Sequence, residues 1–193
     1  MLHYMIGYGS ILSRHSREVF SGMTGPAVAV ELPGWRRAWS VRYRDEGATY
    51  LGLVADEAAR LQAVAVPVEI NPDMRHRERG YRWEEVSPER LQADTLPTGR
   101  FWIVVNTAHE PADHAHPIPQ SYVDTCLIGA FETGGEAMVR DFISRTDHWD
   151  RPWRDDRAAP VYPRLAPLSA DQRALVDDHL DAAGVLKHRL PGR

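Results

Sequence analysis

The sequence feature that most limits the fold of this chain is a change of hydrophobic periodicity at Gln120. Before it, β-branched and aromatic residues gather in short runs separated by turns, which predicts strands at 2–7, 27–32, 38–43, 49–54, 61–68, 81–86 and 101–106. After it, apolar residues recur at helical spacing, and Gly134 and Gly135 separate this helix from a second helical segment at 136–145. A last helix begins at Ser169, whose hydroxyl can cap it, and ends near Gly184.

Short strands that curl, followed by packed helices, are typical of an α+β domain. We therefore expect a small mixed β-barrel or a strongly bent sheet with flanking helices. A chain of 193 residues, 43% of them hydrophobic, can bury a substantial core. We assign residues 1–193 to a single domain, in which residues 146–193 are a C-terminal extension packed on the rest.

Charge and cysteine content limit the class of partner. The 23 basic and 27 acidic residues give a net charge of -4 without a long run of either sign, which argues against nucleic-acid and membrane-surface partners. Cys126 is the single cysteine and cannot form an internal disulfide, which favours a reducing, cytoplasmic compartment. No apolar stretch approaches the roughly 20 residues that cross a bilayer. We expect a soluble protein, a monomer or homodimer, that acts on a small molecule.

A glycine-rich turn follows the first predicted strand. Residues 6–12 read Ile-Gly-Tyr-Gly-Ser-Ile-Leu, with glycine where a side chain would obstruct a ligand. Successive backbone N–H groups in such a turn can hold a carboxylate or a phosphate. The run lacks the lysine of a phosphate loop and the third glycine of a dinucleotide fingerprint. An ordinary glycine turn that leaves an edge strand is the alternative interpretation.

A carboxylate, Glu78, lies at a predicted junction between a short helix and a strand. The helix starts near Asn71, Gly80 ends it, and Tyr81 opens the next strand. Arg75 and Arg82 lie three residues before and four residues after Glu78. A surface ion pair worth roughly 0 to 1 kcal/mol is therefore the alternative to a functional carboxylate.

Together the two signals resemble the gamma-glutamylcyclotransferase superfamily, which pairs a Tyr-Gly-Ser turn with a downstream Glu. The resemblance covers about the first 145 residues. It is carried by Tyr8, Gly9, Ser10, Ile11 and Leu12, by Arg77, Glu78, Arg79, Gly80 and Tyr81 some 65 to 70 residues later, and by Pro119, Gln120, Ser121 and Tyr122.

The resemblance implies a small mixed barrel flanked by helices and an enzyme that converts gamma-glutamyl compounds to 5-oxoproline and a free amine. Glu78 would be the catalytic carboxylate, residues 8–12 the substrate-binding turn, and Tyr81 a further substrate-binding candidate. The substrate's own α-amino group attacks its γ-carbonyl, so the reaction needs no metal, no cofactor and no protein nucleophile. The expected partner is a small-molecule gamma-glutamyl substrate.

Two departures leave the leaving group open. Many members have Asn after the Ser of the turn, whereas this chain has Ile11. The glutathione-specific, ChaC-type relatives also lack that Asn, so glutathione, gamma-glutamyl amino acids and gamma-glutamyl amines all stay candidates. The extension either presents an ionic and aromatic surface to the substrate amine or docks as a structural tail; its residues of interest are Trp149, Trp153, Asp155, Asp156, Arg157 and Tyr162.

Two hypotheses from other functional classes compete with the cyclotransferase interpretation. The first is a metal-dependent hydrolase that uses the loop at 109–116, whose ligand types are His109, Glu110, Asp113, His114 and His116. Their spacing matches no standard motif. The second is a non-catalytic small-molecule binding domain on the same scaffold. A nucleophilic hydrolase is disfavoured because Ser10 lies outside any Gly-x-Ser-x-Gly elbow.

Overall fold

The computed structural model describes residues 1–192, and the side chains of these residues except Asp73 and Arg77. The described residues form nine strands and four α-helices. In chain order they are β1 (His3–Gly7), α1 (Arg14–Ser21), β2 (Val28–Tyr43), β3 (Ala48–Pro67), α2 (Pro72–Arg77), β4 (Tyr81–Val86), β5 (Arg100–Asn106), β6 (Ile118–Pro119), α3 (Gln120–Ser144), β7 (Thr146–Asp147), β8 (Trp153–Arg154), α4 (Ala170–Ala182) and β9 (Arg189–Leu190).

Six strands form one mixed sheet in the order β4-β5-β1-β3-β2-β7. β1 lies inside it, parallel to β5 and antiparallel to β3. The short strands β6, β8 and β9 form a second, parallel sheet. Helices and a mixed sheet confirm the α+β prediction. Within residues 1–192 no pairing joins the edge strands β4 and β7, so the sheet is open and, of the two predicted forms, the barrel does not form.

Two pairs of predicted short strands are in fact two long strands. The runs at 27–32 and 38–43 both lie in β2, and those at 49–54 and 61–68 both lie in β3. The register of this hairpin shifts between Pro33 and Gly34 and again between Trp39 and Val41. Such irregularities let a strand pass through a Pro-Gly pair without ending, which explains why the turn signal was misleading.

The first half of α3 lies inside the molecule. Every residue from Gln120 to Ala130 is buried, including Asp124. A helix that is buried on all sides needs polar partners for its polar side chains. Those partners come from residues 146–192, where Trp153 and Tyr162 are almost completely buried. The C-terminal segment therefore covers the outer face of this half-helix.

Of three helical features in the structure, two agree with the predictions from the sequence and one was not predicted. Ser169 caps α4 in a capping box with Gln172, which confirms the predicted start. The predicted break in α3 occurs, since Gly134 and Gly135 leave the helical region within an otherwise continuous helix. Helix α1 was not predicted because its sequence is mostly polar. Within the described residues, no helix is long and apolar enough to span a membrane.

Candidate active site

The glycine turn contains a short 3-10 helix that follows the end of β1 after two intervening residues. Ser10–Leu12 forms this helix, closed by hydrogen bonds from Leu12 N to Gly9 O (2.9 Å) and from Ser13 N to Ser10 O (3.1 Å). The Ser13 hydroxyl then accepts a hydrogen bond from Ser16 N and caps α1. Because α1 follows without a loop, the turn is held at both ends by regular structure.

Two glycines allow α3 to approach this turn closely. A Cβ on Gly129 would lie 2.2 Å from the backbone nitrogen of Ser13, so only glycine lets the helix pack there. A Cβ on Gly9 would lie 2.8 Å from the hydroxyl oxygen of Tyr122, which α3 carries. The second glycine of the Tyr-Gly-Ser run therefore makes room for a tyrosine hydroxyl as well as for a ligand.

Tyr8 is fixed by contacts through its side chain and its backbone. Its hydroxyl donates to Val104 O at 2.8 Å, and its carbonyl oxygen accepts from Arg37 Nε at 2.9 Å. Arg37 is 1% exposed and its guanidinium lies 4.4 Å from the ring centroid of Phe142. Burial lowers the pKa of Arg37 to about 10. Sequence reasoning did not identify Arg37, which supports the turn through the Tyr8 carbonyl oxygen.

Glu78 ends α2 and is buried. The Asn71 side chain accepts from Met74 N at 2.9 Å and starts the helix, and Glu78 is its C-terminal cap. Only 8% of Glu78 is exposed. Arg82 instead pairs with Glu84. Glu78 is therefore not a surface carboxylate, and Arg82 has another partner. Arg77, which belongs to the same sequence run, has its side chain outside the described residues.

Two adjoining cavities share Ser10, Glu78, Tyr81 and Tyr122 as walls. Each has a volume of about 40 Å³. We name the first the turn cavity; its remaining walls are Ile6, Gly7, Tyr8, Gly9, Ile11, Leu51 and Val104. We name the second the tyrosine cavity; its remaining walls are Tyr43, Tyr50, Tyr162 and Arg164. Glu78 thus lies between the glycine turn and the tyrosines.

Most of the candidates from the sequence meet at these cavities. Tyr8, Gly9, Ser10, Ile11 and Tyr81 line the turn cavity together with Glu78. Leu12 does not line it; its side chain is fully buried in the hydrophobic core. Leu12 therefore anchors the turn rather than facing the cavity.

Comparison with family models and with curated protein sequences gives no match. Solved structures do match in shape. A structure named gamma-glutamyl cyclotransferase aligns with a TM-score of 0.60 at 12% identity, covering 92% of this chain and 99% of the other. The chain has the gamma-glutamylcyclotransferase-like fold.

Two further structures share this fold. YkqA from Bacillus subtilis aligns at 17% identity with a TM-score of 0.58 over 76% of this chain. This chain spans 56% of YkqA, so about half of that protein has a counterpart here. An uncharacterised Homo sapiens protein aligns at 12% identity with a TM-score of 0.56, covering 90% of this chain and 96% of the other.

Buried phenols surround Glu78 in this gamma-glutamylcyclotransferase-like fold. Burial, and to a smaller extent the negative charge of Glu78, raise the pKa of Tyr8, Tyr43 and Tyr81. These phenols stay protonated near neutral pH and can donate hydrogen bonds. Tyr81 already donates to Leu51 O at 2.8 Å.

A cation also lines the tyrosine cavity. Burial alone would lower the pKa of Arg164, but Tyr162 and the charge of Glu78 outweigh it and raise that pKa. The guanidinium lies 5.3 Å from the ring centroid of Tyr162. The site therefore combines one buried carboxylate, several neutral phenols and one arginine.

Sequence reasoning named Tyr122 and Tyr162 but did not place them beside Glu78 in one cavity. The ring centroid of Tyr122 lies 4.8 Å from that of Tyr50 and 4.7 Å from that of Tyr162. Three parts of the chain that are distant in sequence therefore meet here. Tyr122 belongs to the run that resembles the superfamily, and that signal alone could have found it. Nothing in the local sequence marks Tyr50 or Arg164.

The loop at 109–116 does not assemble a metal centre. The Asp113 carboxylate accepts from His116 N and from Ala115 N, and Glu110 pairs with Arg44. His109 Nε2 lies 3.2 Å from His148 Nε2. Across residues 1–192, no three His, Cys, Asp or Glu side chains that the structure describes converge as metal ligands. The metal-hydrolase interpretation therefore has no site in this loop.

The acidic pair and arginine of the extension hold it in place. Asp156 accepts hydrogen bonds of 2.7 Å from Ser121 N, Ser121 Oγ and Val161 N. Arg157 pairs with Asp124 and Asp177. Within the described residues neither Asp156 nor Arg157 lines the two cavities around Glu78. Asp156 and Arg157 therefore dock the extension onto the rest of the chain, whereas Tyr162 of the same extension lines the tyrosine cavity.

Proposed function

We propose that this protein is a gamma-glutamylcyclotransferase-type enzyme that converts a gamma-glutamyl compound to 5-oxoproline and a free amine without a metal or cofactor. The observation that carries the proposal is the position of Glu78, a buried carboxylate in the same cavity as the Tyr8-Gly9-Ser10 turn. The shared fold with a protein named gamma-glutamyl cyclotransferase supports the same reaction class.

In the proposed reaction the substrate supplies its own nucleophile. Its α-amine attacks its γ-carbonyl carbon, a C–N bond closes the five-membered ring, and the bond from that carbon to the leaving nitrogen breaks. The attacking nitrogen becomes positively charged as the ring closes, Glu78 takes one proton from it, and Glu78 delivers that proton to the leaving nitrogen. Atoms and charge balance without water.

Positioning supplies much of the rate in such a reaction. Well-oriented intramolecular reactions reach effective molarities of about 10⁵ to 10⁸ M. We assign the backbone N–H groups of the turn to the substrate's α-carboxylate or to the developing oxyanion. The rigid mounting of the turn between β1 and α1 suits that role.

The second candidate is a binding domain on the same scaffold that has lost catalysis. The fold alone is compatible with it, since one fold hosts many functions. A buried carboxylate beside the turn favours the enzyme, because a protein that only binds has no need for a proton carrier there.

The test is detection of 5-oxoproline by mass spectrometry after incubation with gamma-glutamyl amino acids, gamma-glutamyl amines and glutathione. Glu78→Gln is the test variant, and Glu69→Gln, exposed just before α2, is the matched control. We expect product with the wild type and with the control, and none above background with Glu78→Gln. Ligand binding without product across the whole panel would favour the binding domain.

A further inference from the structure

We propose that Arg164 is a specificity-determining residue that binds a carboxylate on the leaving group, so that the preferred substrates are gamma-glutamyl amino acids or peptides. The inference deepens the proposed function and rests on it. It starts from the tyrosine cavity, which Arg164 lines together with Glu78.

The geometry places the leaving group on the Arg164 side of Glu78. The turn cavity and the tyrosine cavity share Glu78, and only the turn cavity is lined by Gly9 and Tyr8. A substrate whose glutamyl part occupies the turn cavity has its scissile nitrogen next to Glu78. Whatever that nitrogen carries then extends into the tyrosine cavity, towards Arg164.

Arg164 differs from Arg157, which lies in the same segment, in how its guanidinium is satisfied. Arg157 donates four hydrogen bonds of 2.7 to 3.0 Å to Asp124 and Asp177. The Nε atom of Arg164 is buried and, among the residues described, has no hydrogen-bond partner. A buried N–H group on a cation is costly when unpaired, and a carboxylate is its best partner.

The rest of the tyrosine cavity suits the body of an amino acid. Tyr162 supports the guanidinium through its ring, and Tyr50 packs on Tyr162 with ring centroids 5.6 Å apart. Such walls offer apolar surface to a side chain and a fixed cation to its carboxylate. A simple amine would gain only the apolar contact.

Two substrates that differ by one carboxylate test the inference. Gamma-glutamylalanine and gamma-glutamylethylamine share the glutamyl part and the ethylamine skeleton of the leaving group, and alanine adds one carboxylate to that skeleton. We expect the wild type to prefer gamma-glutamylalanine by about ten- to a hundredfold in kcat/KM, which is the range of a charge-assisted hydrogen bond.

The variants are Arg164→Gln, Arg164→Lys and the matched control Arg151→Gln, which is exposed on the same segment. We expect the preference to fall close to one in Arg164→Gln, to survive in part in Arg164→Lys, and to stay at the wild-type value in Arg151→Gln. The proposal is overturned if the wild type shows no preference. It is equally overturned if Arg164→Gln lowers kcat/KM for both substrates by the same factor, because Arg164 would then act on the glutamyl part.

Calorimetric titration of both compounds separates this inference from the proposed function. If neither compound yields 5-oxoproline but the wild type binds gamma-glutamylalanine more tightly, and Arg164→Gln removes that difference, the enzyme proposal fails and the carboxylate site stands. If turnover occurs without any preference, the carboxylate site fails alone. If there is neither turnover nor a difference in binding, both fail.

Discussion

Two buried polar regions meet at the first turns of α3 and differ in how their charges are satisfied. On one side is a docking cluster, which we define as Asp124, Asp156, Arg157, Asp177 and Arg189. Its members are paired with one another or with backbone groups at 2.7 to 3.0 Å. On the other side are the cavities around Glu78, where Arg164 has a buried Nε without a partner in the described part of the chain.

This difference in pairing distinguishes residues that stabilise the fold from residues that face a ligand site within the same C-terminal segment. Arg157 and Arg164 are seven residues apart. Arg157 forms ion pairs with two aspartates of the protein, whereas Arg164 lines a cavity. Buried polar groups that are fully satisfied fix the fold, whereas those left for a ligand mark a site. We therefore expect changes in the docking cluster to alter stability and changes at the cavities to alter turnover.

The largest expected effect is that of Glu78→Gln on turnover. Loss of the proton carrier is expected to lower the rate of 5-oxoproline formation by roughly 10²- to 10⁴-fold. Because the amide keeps the size of the carboxylate, the melting temperature should change little. The measurement is the initial rate at saturating substrate, and a rate within threefold of the wild type would remove Glu78 from the mechanism.

The next largest effect is that of Arg157→Met on stability. This change leaves Asp124 and the half-buried Asp177 without their shared cation, which costs about 3 to 5 kcal/mol for a buried pair. Urea denaturation measures the free energy of unfolding, and Arg151→Met is the control. We expect turnover by the folded protein to stay within a few-fold of the wild type. A stable but inactive variant would contradict the division between the two regions.

Gly9→Ala should have an intermediate effect on both properties. The new methyl group would meet the Tyr122 hydroxyl at 2.8 Å, and such overpacking costs about 1 to 3 kcal/mol. Displacement of the turn should also lower kcat/KM by roughly tenfold or more. Adding Tyr122→Phe removes the contacting oxygen, since the next ring atom lies at 3.9 Å. We expect the double variant to recover stability, and no recovery would mean that the contact is not the cause.

The smallest expected effect is that of pH on the free energy of unfolding through the cavity tyrosines. It is negligible near neutral pH and grows only above pH 10. Burial raises the pKa of the cavity tyrosines; those affected are Tyr8, Tyr43, Tyr50, Tyr81 and Tyr122. In the unfolded chain these phenols lose their protons near pH 10. The folded state then binds more protons than the unfolded state, so the free energy of unfolding falls as the pH rises above 10. Arg37, whose pKa burial lowers to about 10, opposes this as a single group.

Tyrosinate absorbance at 295 nm during an alkaline titration checks this expectation. The cavity phenols should ionise only together with unfolding, as followed by circular dichroism. Ionisation of all tyrosines near pH 10 in a protein that is still folded would show that the cavities are open to solvent.

Local patterns predicted one half of the site. The strand, glycine turn and capped helix that deliver residues 8–12 and Glu78 are each specified within about a dozen residues, by signals that sequence reasoning can read. The junction of α2 and β4 was predicted within two residues. The resemblance to the gamma-glutamylcyclotransferase superfamily connects the turn with Glu78, and in the structure both line the turn cavity.

Long-range packing decides the other half, and the sequence does not show it. Arg37 supports the turn through Tyr8 O, and Arg164, 127 residues further along the chain, lines the tyrosine cavity. Sequence reasoning divided β2 into two strands, because the sequence at Pro33 and Gly34 favours a turn. In the structure these two residues form a bulge within one continuous strand. In each case tertiary contacts outweigh the local signal.

The most direct test of the central account is to identify the product of a gamma-glutamyl substrate in water enriched in ¹⁸O. Attack by the substrate's own amine predicts 5-oxoproline without label, formed by the wild type and not by Glu78→Gln. Glutamate carrying one ¹⁸O atom would show that water is the nucleophile, which would contradict intramolecular attack at the Glu78 cavity.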